Sequence, residues 1–192
     1  MLIKNEFQVA APVDKVWQFF GDIPQVAACL PGTELTDDLG GDRYAGRVAV
    51  RMGPVRLQFA GKADITERDE AAKRVVVNAS GAEEKGRGQA SMVVTAALAP
   101  AGRGTKVSVT QDLQLSGAAA QYGRGMISDV SAVMMRDFSV NLADRIDRAE
   151  RGETVTGPAI APASGFTLGM RAALMALRRV FRRFFVPYQA AS

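Results

Sequence analysis

The chain contains no histidine and a single cysteine, Cys29. These two absences remove much chemistry at once. A Ser-His-Asp triad, a Cys-His dyad and a histidine-bearing zinc site cannot be assembled without imidazole. One thiol forms neither an intrachain disulfide nor a paired-cysteine redox site, so nothing argues for an oxidising compartment. No run of about 18 apolar residues occurs, which excludes a membrane-spanning helix by sequence. The opening MLIKNEFQV carries Lys4 and Glu6 before any apolar run develops, and it reads as a strand and not as a signal peptide. The expectation is a cytoplasmic protein with no metal centre and no obvious catalytic group.

Acidic residues are missing from one end only. All 20 lie at or before Glu153, with 19 of the 24 basic residues, so that part carries a net charge of −1. Residues 154–192 hold five arginines and no acid, a charge of +5. The overall basic balance therefore belongs to the tail, and it points to a separate acidic partner for that segment: lipid, nucleic acid or protein.

What is present sorts by period. Ile3, Phe7 and Val9 alternate with Lys4, Glu6 and Gln8, the pattern of a half-buried strand, with Asn5 a polar exception on the apolar side. Pro12 and Asp14 begin a short helix over 13–20, and a second short piece, 23–30, ends at Pro31-Gly32. Strands with two-residue alternation follow at about 43–52, 55–65, 74–80, 89–99 and 105–115, joined by Gly-containing turns. From 117 to about 148 there is no proline, and Ile127, Val130, Met134, Phe138, Leu142 and Ile146 recur at helical spacing. This predicts a long amphipathic helix of roughly 30 residues. An antiparallel sheet with one face wet and one covered by that helix is an α+β helix-grip arrangement. Small residues between Gly117 and Gly125 leave room between helix and sheet. The expected organisation is a domain over 1–150, a Gly/Pro/Ala/Ser/Thr-rich linker over 151–165 and a basic helix over 166–186.

Placed on a helical wheel at about 100° per residue, the tail separates into two faces. Phe166, Met170, Leu174, Leu177, Val180, Phe181, Phe184 and Phe185 occupy an arc of roughly 140°. Arg171, Arg178, Arg179, Arg182 and Arg183 occupy the complementary arc. Arginine on one face and bulky apolar residues on the other suit a helix lying in the interface of an anionic bilayer, or one docked in a protein groove. Nucleic acid fits less well, because the phenylalanines form a stripe and are not interleaved as stacking platforms.

Several separated motifs resemble a known family. Phe7 to Asp22 reads F-x-V-x-A-P-x-D-x-V-W-x-F-F-x-D, and Cys29 to Gly32 reads C-L-P-G. Tyr44 to Val55 reads Y-x-G-x-V-x-V-x-x-G-P-V, Phe59 to Ala63 reads F-x-G-x-A, and the long helix carries Phe138, Asn141 and Leu142. Over about residues 1–150 these are similar to the CoxG family of carbon monoxide dehydrogenase proteins, within the START-like, or SRPBCC, superfamily. The resemblance implies a helix-grip fold with an apolar cavity. It also implies association with a molybdenum-type carbon monoxide dehydrogenase, which such proteins help recruit to the inner face of the cytoplasmic membrane. It does not imply catalysis.

The cavity lining expected from inward strand positions and the inner helix face is Tyr44, Val48, Val50, Phe59, Met92, Val94, Tyr122, Met126, Ile127, Val130 and Met134. Tyr44, Tyr122, Asn5 and Gln111 are the groups available to hydrogen-bond a ligand carbonyl. The Cys29–Gly32 loop is expected at the cavity mouth, with Cys29 inert for want of a base. Asp37-Asp38 and Glu83-Glu84 read as solvated turn residues. The expected function is binding of a hydrophobic small molecule, an isoprenoid quinone or another lipid held non-covalently, beside the dehydrogenase at the membrane surface. A ligand-free anchor or assembly factor is the alternative, and a START-like enzyme acting on a hydrophobic substrate ranks below both.

Overall fold

The computed structural model describes residues 1–153. The chain divides into two units, Met1–Ile160 and Ala161–Ser192. In the first, seven strands form one antiparallel sheet: β1 Leu2–Val9, β2 Thr33–Asp38, β3 Arg43–Met52, β4 Val55–Asp69, β5 Arg74–Glu83, β6 Gln89–Ala101 and β7 Gly104–Leu115. Their spatial order is β1-β7-β6-β5-β4-β3-β2. Five hairpins account for the run from β2 to β7, and β1 closes on β7 from Leu2↔Asp112 to Val9↔Thr105. Helices α1 (Val13–Gly21) and α2 (Ile23–Cys29) carry the chain from one edge strand to the other. Asp22 caps α2 by accepting a hydrogen bond from the Gln25 amide at 3.1 Å.

The last element, α3 (Arg124–Glu150, 27 residues), lies across the inner face of the sheet and touches β1, β3, α1 and α2. It is about 40 Å long. The predicted start at 117 is corrected: Gly117–Gln121 forms a 3-10 turn, and α3 begins after Gly123, whose extended φ of −60° and ψ of 151° break the helix. Strand β2 is an addition to the predicted elements. Its sequence, TELTDD, has one apolar residue, Leu35, and it is held by pairing with β3. A charged, bulged edge of this kind resists pairing with another chain.

Two apolar clusters form beneath α3. One gathers Val16, Phe20, Val107, Val109, Phe138 and Leu142; the Phe138 ring meets Phe7 and Phe20 edge-on at 5.8 Å and 6.3 Å. The other gathers Ile3, Met52, Leu57, Ala119 and Ile127. Across β3, β4 and β5, Gly46 pairs with Gly61 and Gly61 with Gly81. A Cβ on Gly61 would lie 2.0 Å from the Ser80 carbonyl oxygen, so the two backbones approach as only glycine permits.

Candidate functional site

The three aligned glycines place no side chains on the floor of the sheet, and α3 bridges above it. Between them is a cavity of about 430 Å³, within the range of small-molecule sites. Its wall is overwhelmingly apolar. Tyr44, Val48, Val50, Phe59, Met92, Val94, Ile127, Val130 and Met134 all line it. Further lining residues come from α2 (Ile23, Val26, Ala27), from Leu30, and from β5 and β6 (Val75, Val77, Ala90).

Two expected lining residues lie elsewhere. Met126 is 43% exposed on the outer side of α3, about 100° round the helix from the inward Ile127. It shares that outer face with the exposed Val133 and Val140 at seven-residue spacing. Tyr122 follows the 3-10 turn and packs on the cluster around Ala119 and Ile127 without reaching the cavity.

The polar groups at the wall are few, and two of them form a chain with a third residue behind it. Gln111, on the inward face of β7, is only 9% exposed and lines the cavity. Ser131 of α3 lies opposite and donates its hydroxyl hydrogen to Gln111 Oε1 at 3.2 Å. Asn5 of β1 donates its side-chain amide to Ser131 Oγ at 3.1 Å. Asn5 thus acts behind the wall and not at it. The three residues form a seam one residue wide on each element, between the two apolar clusters: on β7 Val109 lies on one side and Leu113 on the other. Burying such groups unpaired would cost about 1–3 kcal/mol each, so the mutual hydrogen bonds are what allow them there. Ser131 is the member that the sequence pattern does not reveal.

Tyr44 offers a phenol whose pKa is raised by burial first and by Asp38 and Asp42 next, so it stays protonated. Thr33 contributes a buried hydroxyl with no hydrogen-bond partner among the described residues. Arg47 and Lys62 reach the rim from exposed positions, Arg47 paired with Glu84 at 3.1 Å. Among the described residues no cluster of His, Cys, Asp and Glu could hold a metal ion.

Cys29 is corrected from the mouth to the core. It ends α2 fully buried, its carbonyl accepting from Asn141 Nδ2 at 2.9 Å, while Leu30 takes the cavity wall. Burial pushes its thiol up to about 11, which suppresses the thiolate. Glu83 is likewise no solvated turn residue. It is 3% exposed at the end of β5, pairs with Arg87 at 2.6 Å and accepts the backbone N–H groups of Lys85 and Arg87. Arg87 also donates to the Arg56 carbonyl at 3.3 Å, tying the β5–β6 turn to β4.

The basic tail residues Arg171, Leu174, Leu177, Arg178, Arg179, Phe181, Arg182, Arg183, Phe184 and Phe185 lie outside the described residues, as does the linker expected before them from residue 154 on. No helix among the described residues is long and apolar enough to cross a membrane.

Comparison with solved structures gives the same architecture. A conserved protein from Geobacillus kaustophilus superposes with a TM-score of 0.69 at 18% identity, over 78% of this chain and 97% of that one. The aromatase/cyclase of Streptomyces sp. R1128 superposes with a TM-score of 0.57 at 17% identity, over 82% and 99%. At such identities the likeness concerns the START-like fold alone. No curated protein matches the sequence significantly. The family model of CoxG, a subunit of carbon monoxide dehydrogenase, matches residues 6–147, well over half of the chain. This protein belongs to the CoxG family.

Proposed function

We propose that the protein is a non-catalytic carrier of one hydrophobic molecule, an isoprenoid quinone, and that it couples a molybdenum-type carbon monoxide dehydrogenase to the inner face of the cytoplasmic membrane. The observation that carries this reading is the apolar cavity of about 430 Å³ under α3. A void of that size forfeits dispersion contacts along its whole lining, which an apolar occupant restores. A ligand-free anchor would have no use for it, and a helix packed fully onto the sheet would have been the more stable solution.

The wall is suited to holding and poorly suited to chemistry. Its polar groups are a neutral phenol, two buried hydroxyls, an amide and a few peripheral side chains, with the one thiol buried and protonated. No nucleophile stands beside a base at the cavity wall. The family's link to carbon monoxide dehydrogenase supplies a reason for a quinone. An enzyme that oxidises its substrate must discharge electrons, and a lipophilic two-electron acceptor has to leave the bilayer to reach a water-soluble enzyme. The five arginines of residues 154–192 and their accompanying phenylalanines supply the attraction to an anionic leaflet, each charge contributing about 1 kcal/mol near the surface.

Organic extraction of the protein purified gently from its own host tests the reading. A single quinone recovered in amounts comparable to the protein is the expected result. Recovery of no lipophilic compound contradicts it.

A further inference from the structure

The Asn5–Ser131–Gln111 seam has a direction. Asn5 Nδ2 donates to Ser131 Oγ, and the Ser131 hydroxyl therefore gives its one hydrogen to Gln111 Oε1. The carbonyl end of the Gln111 amide is thus engaged from the helix side, and with Asn5 donating, the amide cannot turn over without leaving the Ser131 hydroxyl hydrogen with no acceptor. That leaves the –NH₂ end. Gln111 Nε2 makes no hydrogen bond among the described residues, although Gln111 is nine-tenths buried and its side chain forms part of the cavity wall. Its two N–H groups therefore face an apolar chamber with no protein acceptor within hydrogen-bond reach among the described residues.

A donor with no protein acceptor at an apolar wall is costly, and a folding argument alone would place leucine at this register, as Leu113 and Leu115 are placed further along the same face of β7. The neighbours across the ladder, Ile3 and Val94, are apolar as well. A donor here gains its partner only when something with an acceptor occupies the cavity. The surrounding wall then fixes what that acceptor belongs to: a mostly hydrocarbon body, entering a chamber lined by Val, Leu, Met and Phe, with one oxygen presented to Gln111.

We infer that Gln111 selects and orients the ligand of this cavity by donating a hydrogen bond from Nε2 to a carbonyl oxygen on it, with Ser131 and Asn5 as the positioning residues that hold the amide in that sense. The inference rests on the carrier reading and adds to it the chemical feature that is recognised. Hydrocarbon contact gives affinity for any lipid of suitable size, whereas the amide discriminates among them, because a ligand lacking the acceptor leaves the donor desolvated and unpaired.

Equilibrium dialysis of the full-length protein with two ring-matched probes, 2,3-dimethyl-1,4-naphthoquinone and 2,3-dimethylnaphthalene, tests it. The two share a ring and differ in the carbonyls. In the Gln111→Leu variant the ratio of quinone to hydrocarbon affinity falls by about tenfold from its wild-type value, through loss of quinone binding and not of hydrocarbon binding. Ser131→Ala, which keeps the amide but frees it to rotate, lowers the same ratio by a smaller factor and provides the measurement should Gln111→Leu fold poorly. The infrared carbonyl stretch of the bound quinone reads the contact itself: it lies lower in the wild type than in either variant. An affinity ratio and a carbonyl stretch unchanged by these substitutions would overturn the assignment of Gln111 while leaving the cavity as a lipid site. Failure of the wild-type protein to take up either probe would remove the carrier reading, and this inference with it.

Discussion

Glu83 shows how one side chain can hold a turn in place. Its carboxylate is buried at the last position of β5 and receives Arg87 and two backbone N–H groups. The Arg87 hydrogen bond, ahead of the backbone donors, outweighs burial and lowers its pKa from the ordinary 4.5 to about 2. Because the folded-state value is the lower one, the interaction stabilises the fold above the unfolded carboxyl's pKa and is lost as pH falls toward the folded one. In urea denaturation, Glu83→Gln is accordingly less stable than wild type near neutral pH. The gap between the two closes as the pH is lowered from 4.5 toward about 2. A gap that persists unchanged at the acid end would show that Glu83 acts through packing and not through its charge. The position is legible in principle: Val75, Val77, Ala79 and Gly81 mark the inward parity of β5, and Glu83 continues it. A strand taken to end at Ser80 hides this. Gln111 and Asn5 stand out as polar residues on inward strand faces, since a period of two leaves no ambiguity about side. Ser131 does not, because on a helix a serine one position from the apolar arc looks like Ser128 or Ser139, both outside the core.

At the scale of elements, the glycine row decides where the cavity lies. The motifs Y-x-G-x-V and F-x-G-x-A each contribute one glycine, and the register brings Gly46 and Gly61 side by side with Gly81 beyond them. Sequence shows the motifs and their spacing; only the register shows that the three fall on one line. Gly61→Ala forces a Cβ against the Ser80 carbonyl oxygen of the adjacent strand, and a backbone atom cannot step aside as a side chain can. Thermal or chemical denaturation should register a loss of about 1–3 kcal/mol. Gly125→Ala is the comparison: its Cβ meets nothing within 4 Å on α3, and removing glycine from a helix gains about 0.5–1 kcal/mol. Equal effects at both positions would contradict the close-approach argument. The long helix itself is plain from Ile127, Val130, Met134, Phe138, Leu142 and Ile146. Its first turn is not, because the Gly117–Gly125 stretch carries no apolar rhythm to mark the start. Met126 and Tyr122 are misassigned to the cavity for that reason. Strand β2 escapes notice for a different one: a polar edge strand is defined by its neighbour's hydrogen bonds and not by its own pattern.

At the scale of the whole molecule, two features with different physics occur in one chain. An apolar cavity favours a hydrophobic occupant, and a +5 segment carrying phenylalanine and leucine favours an anionic surface. Liposome flotation separates their contributions. Full-length protein is expected to float with vesicles containing anionic lipid, with a bound fraction that falls as salt is raised. Replacing Arg178, Arg179, Arg182 and Arg183 with glutamate in the full-length chain should abolish flotation. Undiminished binding by that variant would sink the electrostatic role given to the tail, without touching the cavity.

A carrier must be occupied, and native mass spectrometry of the full-length protein from its own host measures occupancy directly. The expected result is a population heavier than the 20.4 kDa chain by the mass of one lipophilic molecule, which dissociates on mild collisional activation. Val94→Trp, which fills the cavity from the wall of β6, should be isolated without that added mass. A wild-type protein at the bare chain mass, or the same added mass on the filled variant, would contradict the carrier role.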